Sequence, residues 1–125
     1  MHSVRLLAPV FVMLSVVSLA ERAHANEDAI ELRLQSAKCL CGIVTYQNGD
    51  PARGAKVEEL SQDWKGTPLR STESDSEGRF ILTPVKGRKI YYLQIRQRGL
   101  HLLRVPIKLS RFRGTKLLRL QLHPA

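Results

Sequence analysis

From Lys38 to the end of the chain, apolar residues recur at every second position in short runs, and no stretch keeps a helical period. Residues that favour turns separate the runs. Leu40 to Gln47 stops at Asn48-Gly49-Asp50-Pro51, Ala55 to Leu60 follows Gly54, and Leu69 to Glu73 precedes Asp75-Ser76-Glu77-Gly78. Phe80 to Val85 stops at Gly87, Lys89 to Arg98 at Gly99, His101 to Leu109 runs on to Gly114, and Lys116 to His123 comes last. Seven strands in about 85 residues predict an all-β domain, a two-sheet sandwich with Greek-key character. Upstream, Ile30, Leu32 and Leu34 alternate with Glu31 and Arg33, so residues 26–37 read either as a short edge strand or as a linker.

Period two also assigns faces. Tyr91, Leu93 and Ile95 point inward and leave Tyr92, Gln94, Arg96 and Arg98 outside; Leu103, Val105, Ile107 and Leu109 point inward and leave Arg104 and Lys108 outside. Leu118, Leu120 and Leu122 are inward, Arg119 and Gln121 outward. Pro106 falls on an outward position, and its missing N–H predicts a sheet edge or a bulge there.

The first 25 residues belong to none of this. They have a positive start, a 15-residue apolar stretch from Leu6 to Ala20 and the small-x-small ending Ala23-His24-Ala25. This is the layout of a cleavable secretory signal, and the stretch is shorter than the ~20 apolar residues a membrane-spanning helix needs. The expected organisation is a signal peptide at 1–25, the linker or edge strand at 26–37 and a β-sandwich at 38–125. A mature chain starting at Asn26 is one small basic domain, which excludes a multi-domain enzyme and a polytopic membrane protein.

Charge changes the picture further. Between Asn26 and Gly78 there are 6 basic and 10 acidic residues, net −4, whereas from Arg79 onward there are 12 basic and none acidic, net +12. Such asymmetry marks a surface for anionic partners or a solvated face that keeps a β protein soluble.

Three motifs carry a resemblance. Leu40-x-Gly42-x-Val44, Gly49-x-Pro51-x-x-Gly54-Ala55-x-Val57 and Ser71-Thr72-x-Ser74-Asp75-x-x-Gly78-Arg79-Phe80-x-Leu82 together resemble a carboxypeptidase regulatory-like domain. The resemblance covers about residues 38–123. It implies a transthyretin-like (prealbumin-like) seven-stranded β-sandwich of the kind found in exported bacterial proteins. Every element is a turn or packing requirement and none is catalytic: Gly49 and Pro51 make the first hairpin turn, Gly54 lets the chain re-enter a sheet, and Asp75 with Gly78 forms a type I turn plus bulge. Tyr46 stands where the family often has Asp, and Asn48 is the substitute cap.

Catalytic constellations lack their parts. The related transthyretin-like hydroxyisourate hydrolase has a catalytic His where this chain has Gly42; Arg79 and Phe112-Arg113-Gly114-Thr115 match its pattern, but here ten more residues follow Thr115. Without the imidazole there is no general base. His101 and His123 have no carboxylate at ligand spacing and read as exposed surface residues, so neither zinc nor a Ser/His/Asp triad is indicated. Asp75 and Glu77 fall far short of the 6–8 oxygens of a calcium site. Trp64, in the turn-rich stretch 61–68, reads either as a sugar-stacking aromatic or as a plug at the sandwich edge. Cys39 and Cys41 form a C-x-C whose Cβ atoms lie about 7 Å apart in a regular strand, against ~3.8 Å in a disulfide. Three arrangements stay open for them: a local disulfide that buckles the strand start, an intermolecular bridge, or two half-buried free thiols.

The expectation from sequence is therefore an exported, non-enzymatic module with a binding or structural role in the periplasm, at the cell surface or outside the cell. The alternative is a basic module that binds polyanions or carbohydrate through Arg96, Arg98, Arg104, Lys108, Arg111, Arg113, Lys116 and Arg119. No cofactor, metal or nucleic acid is expected, and no membrane span after processing. The expected partner is a protein or an envelope polysaccharide.

Overall fold

Alternating side chains become strands in the computed structural model, which describes residues 29–125. Nine strands form: β1 (Ile30–Glu31), β2 (Gln35–Ala37), β3 (Leu40–Thr45), β4 (Lys56–Leu60), β5 (Arg70–Glu73), β6 (Arg79–Leu82), β7 (Ile90–Arg96), β8 (Leu103–Leu109) and β9 (Leu118–Gln121). Among the described residues there is no helix, and so none long and apolar enough to cross a membrane. The proposed signal at 1–25 lies outside the described residues.

The strands divide into two sheets. The larger has the order β1-β8-β7-β4-β5, with β2 also pairing β8, and the smaller has the order β6-β3-β9. Both turn apolar side chains into one core, Val57, Tyr91, Leu93, Ile95, Val105 and Ile107 from the larger and Leu40, Val44, Phe80, Leu118 and Leu120 from the smaller. The architecture is all-β, two sheets facing each other across a shared core, as in a β-sandwich.

Several expectations need correction. Among the described residues there are nine strands: seven, β3 to β9, follow Lys38, and residues 30–37, read as an edge strand or a linker, supply β1 and β2, which run parallel to β8. The turn at Gly49 and Pro51 folds the chain back on the end of β3, with an antiparallel bridge between Thr45 and Pro51, but it does not pair β3 with β4, which lie in different sheets. In that turn Asn48 Oδ1 accepts from the Asp50 amide at 3.0 Å. Pro106 is not on an edge strand, since β8 pairs β7 on one side and β1 and β2 on the other. The carbonyls of Leu102 and Arg104 accept from Ile30 and Leu32, so even-numbered residues of β8 direct their backbone groups to that side. Pro106 meets the gap between β1 and β2, where no ladder N–H is required.

Outward parity does not mean exposure for Gln94, which is 3% exposed; it donates to the buried Glu58 carboxylate at 3.0 Å. The turn before β6 is built on Asp75, whose Oδ1 accepts from the amides of Glu77 and Arg79, both at 2.9 Å. Gly78 follows at φ 77°, and its carbonyl accepts from Val44 at 2.8 Å. Asp75 and the Glu77–Arg79 pair at 3.4 Å are thus engaged inside the turn.

Because each strand from β3 to β9 crosses the sandwich once, alternate connections share an end. Register fixes which: Ala37 pairs Leu109 at the close of β8, Ile90 opens β7 opposite Lys108, and Leu40 opens β3 opposite Leu82. Connections 38–39, 61–69, 83–89 and 110–117 therefore lie at one end, and 46–55, 74–78 and 97–102 at the other, together with residues 122–125.

Candidate functional site at one end of the sandwich

Connections are where charge can collect without disturbing a core. At the first end they carry eight basic residues (Lys38, Lys65, Lys86, Arg88, Lys89, Arg111, Arg113, Lys116) and one acidic (Asp63), 8 − 1 = +7. At the opposite end they carry Arg53 and Arg98 against Asp50, Asp75 and Glu77, 2 − 3 = −1. Lys108, next to last in β8, adds to the first end, and Lys56 and Arg79, which open β4 and β6, lie at the other. The halves of opposite charge along the chain thus become a molecule with one strongly cationic pole.

Arg88 is the exception among these cations. Its Nη2 lies 2.6 Å from Glu59 Oε2, and Arg70 Nε lies 2.7 Å from Glu59 Oε1. Glu59 shares the inward parity of Val57 and is 2% exposed, so this carboxylate sits in the sandwich and is neutralised by two guanidinium groups reaching in from outside. The Arg88 guanidinium also stacks on the Tyr91 ring, 4.9 Å from its centroid. The Tyr91 hydroxyl accepts from the Val85 amide and donates to the Arg88 carbonyl, both at 2.8 Å, which fixes the turn presenting Lys86 and Lys89. Among the described residues Lys38, Lys65, Lys86, Lys89, Lys108, Arg111, Arg113 and Lys116 form no ion pair and all are exposed. The one acid here, Asp63, stays ionised: the Ser61 hydroxyl and then the Lys65 amide donate to it and hold its carboxyl below the usual value.

The connection 110–117 is anchored at its base. Thr115 donates to the Ser36 carbonyl at 3.0 Å, Lys38 donates to Thr115 at 2.9 Å, and Ser110 donates to Ala37 at 2.9 Å. At Gly114 the Ser36 backbone occupies the space a Cβ would take. Cys39 and Cys41 are joined as a disulfide, with Cα atoms 5.2 Å apart. Cys39 lies in the bend at 38–39, outside β3, which frees it from regular strand geometry, and both sulfurs lie near the Lys116 carbonyl oxygen, at 3.3 and 3.6 Å. Neither free thiols nor an intermolecular bridge is present.

The eight basic residues singled out from the sequence do not form one surface. Lys108, Arg111, Arg113 and Lys116 gather at the cationic end. Arg96 and Arg104 lie on the outer face of the larger sheet, where Arg96 is 3.4 Å from Glu58 and Arg104 donates to Gln94 at 3.0 Å. Arg119 is on the outer face of the smaller sheet, opposite Ile43, and Arg98 is in the turn at the far end. Sequence reasoning missed Lys38, Lys65, Lys86 and Lys89.

Trp64 is committed within the fold. At φ 62° it folds back over the larger sheet, edge-on to Tyr92 with centroids 5.4 Å apart, and Arg104 lies 5.5 Å over its ring. Arg104, against that ring, donates to Gln94, which in turn donates to Glu58, and Arg96 also reaches Glu58, so the two buried polar side chains of this outer face are enclosed by their own partners. His101 and His123 are half-buried rather than exposed, and the His101 amide donates to the His123 carbonyl at 3.0 Å. Gly42 stands where the hydrolase resemblance would need a His, and a Cβ there would come within 2.6 Å of the Leu118 carbonyl oxygen. Among the described residues no three His, Cys, Asp or Glu side chains group to hold a metal ion.

No family model matches the chain, and no curated protein matches it.

Proposed function

We propose that the chain is an exported, non-enzymatic β-sandwich module that binds an anionic partner of the bacterial cell envelope through its cationic end. The observation that carries this reading is the segregation of charge, +7 in the connections of one end against −1 in those of the other. A charge that served only solubility would need no such polarity. Export rests on the signal layout of residues 1–25. The family reading, a carboxypeptidase regulatory-like domain with seven Greek-key strands, is supported by its turn motifs and by β3 to β9 dividing as β8-β7-β4-β5 and β6-β3-β9. β1 and β2 are then additions at one margin.

The test is retention on a dextran sulfate or heparin column. The wild-type chain should elute above ~0.15 M salt, because a cluster of unpaired cations holds a polyanion against ordinary screening. Replacing Arg111, Arg113 and Lys116 by Glu should bring elution below that point with an unchanged melting midpoint, since exposed charges contribute little to stability. The single change Arg98→Glu, at the far end, should leave retention nearly as it was. Elution of the wild type below ~0.15 M salt returns the charge to a role in solubility.

A further inference from the structure

Resting on that reading, we infer that the tip Arg111-Phe112-Arg113 docks the cationic end on an anionic phospholipid surface, with Phe112 entering the boundary of the acyl chains. Single exposed apolar residues are ordinary on protein surfaces. Phe112 differs in its setting. It is 86% exposed, the highest value among the exposed large hydrophobic residues described, and it stands at the tip of a connection between two arginines. A concave pocket at its foot is lined by Lys89, Lys108, Leu109, Ser110, Arg111 and Phe112 itself. Three cations around a concavity suit a phosphate, and an aromatic side chain beside them suits the hydrocarbon that a lipid phosphate carries.

The foot of the connection is tied to the sandwich: Thr115 and Ser110 hold it to β2, and the Arg113 amide donates to Ser110 Oγ at 3.1 Å. Little conformational freedom is therefore lost when Phe112 transfers from water to a bilayer. Stable attachment to a membrane surface takes two signals, an apolar insertion and a basic cluster attracted to anionic headgroups, and this end holds both. A polysaccharide offers the same negative charge but no apolar phase for Phe112, and this favours the lipid.

The experiment is sedimentation of the full chain with vesicles of phosphatidylglycerol and phosphatidylcholine, or of phosphatidylcholine alone. Wild type and variants are compared, so that the stretch Leu6 to Ala20 contributes equally. Phe112→Ser should weaken partitioning to the anionic vesicles about tenfold or more, the worth of burying one such side chain, and leave dextran sulfate retention unchanged. Phe112→Trp should bind like wild type and show added emission that shifts blue on anionic vesicles and is quenched by brominated acyl chains. Equal partitioning of Phe112→Ser and wild type, or added emission in Phe112→Trp that is insensitive to vesicles, overturns the inference. Retention on dextran sulfate without vesicle binding also overturns it but leaves the anion-binding function standing. Failure of the wild type in both assays removes that function too.

Discussion

Gly78→Val lowers the stability of the domain by about 3 kcal/mol or more, from two separable causes. Gly78 has φ 77°, a conformation in which a residue with a side chain stores about 1–3 kcal/mol of strain, most of all when β-branched. In addition, a Cβ at this position overlaps the Val44 carbonyl oxygen. Val44 also accepts from Ala52 and donates to Gly78, so β3 cannot yield without losing backbone bonds, and overpacking of this kind costs about 1–3 kcal/mol. Gly78→Ala carries the same overlap with less conformational strain. Gly49, at φ 93° with nothing within 4 Å of a Cβ, supplies the control, because Gly49→Ala meets the conformational cost alone. The order of urea midpoints is therefore wild type, Gly49→Ala, Gly78→Ala, Gly78→Val. A midpoint for Gly78→Val equal to wild type contradicts the turn and its contact with β3.

Glu59→Ala is the second large effect. Removing one partner of a buried ion pair costs about 3–5 kcal/mol, and the lower end applies because the Arg70 and Arg88 side chains are 28% and 39% exposed and can turn toward water. Arg70 Nη2 is already buried without a hydrogen-bond partner, so Arg70 has no second acceptor in reserve. Replacing Glu59 and Arg70 together by Leu should recover part of the loss, as one of the two uncompensated guanidinium groups is then gone and only Arg88, the more exposed one, is left to turn toward water. The same carboxylate holds Arg88 over Tyr91, so Glu59→Ala also loosens the turn carrying Lys86 and Lys89. Chemical denaturation reads the stability, and a shift below ~0.5 kcal/mol, the range of ordinary surface substitutions, shows that Glu59 does not anchor this end.

Period two was sufficient to place the seven later strands and the inward residues of the last three, from Tyr91 and Leu93 to Leu118 and Leu120. Glu59 was not singled out, because a carboxylate beside a second carboxylate, Glu58-Glu59, gives no local sign of burial. Only the arrival of Arg70 across the sheet and Arg88 from a distant turn makes burial tolerable. Gln94 was misjudged for a related reason: parity says which face a side chain takes, whereas its burial comes from Glu58 and Arg104 on the neighbouring strands, partners that no local pattern reveals. Sheet membership was equally hidden, since the turn at Gly49 and Pro51 looks the same whether β3 and β4 pair or part. The cationic pole was legible and missed. Strands that each cross the sandwich once put every second connection at the same end, and counting connections brings Lys38, Lys65, Lys86 and Lys89 beside Arg111, Arg113 and Lys116. Summing charge over chain halves mixed these with Arg96, Arg104 and Arg119, which strands carry to other faces.

The claim that the cationic end is the binding surface is tested most directly by amide chemical shifts of the 15N-labelled chain during titration with a sulfated oligosaccharide at ~0.15 M salt. The account predicts that shifts concentrate at residues 38–39, 65–66, 86–89 and 108–116, and that residues 48–53, 75–78 and 97–101 at the far end stay unmoved. Shifts centred on the far end, or spread evenly over both ends, contradict it.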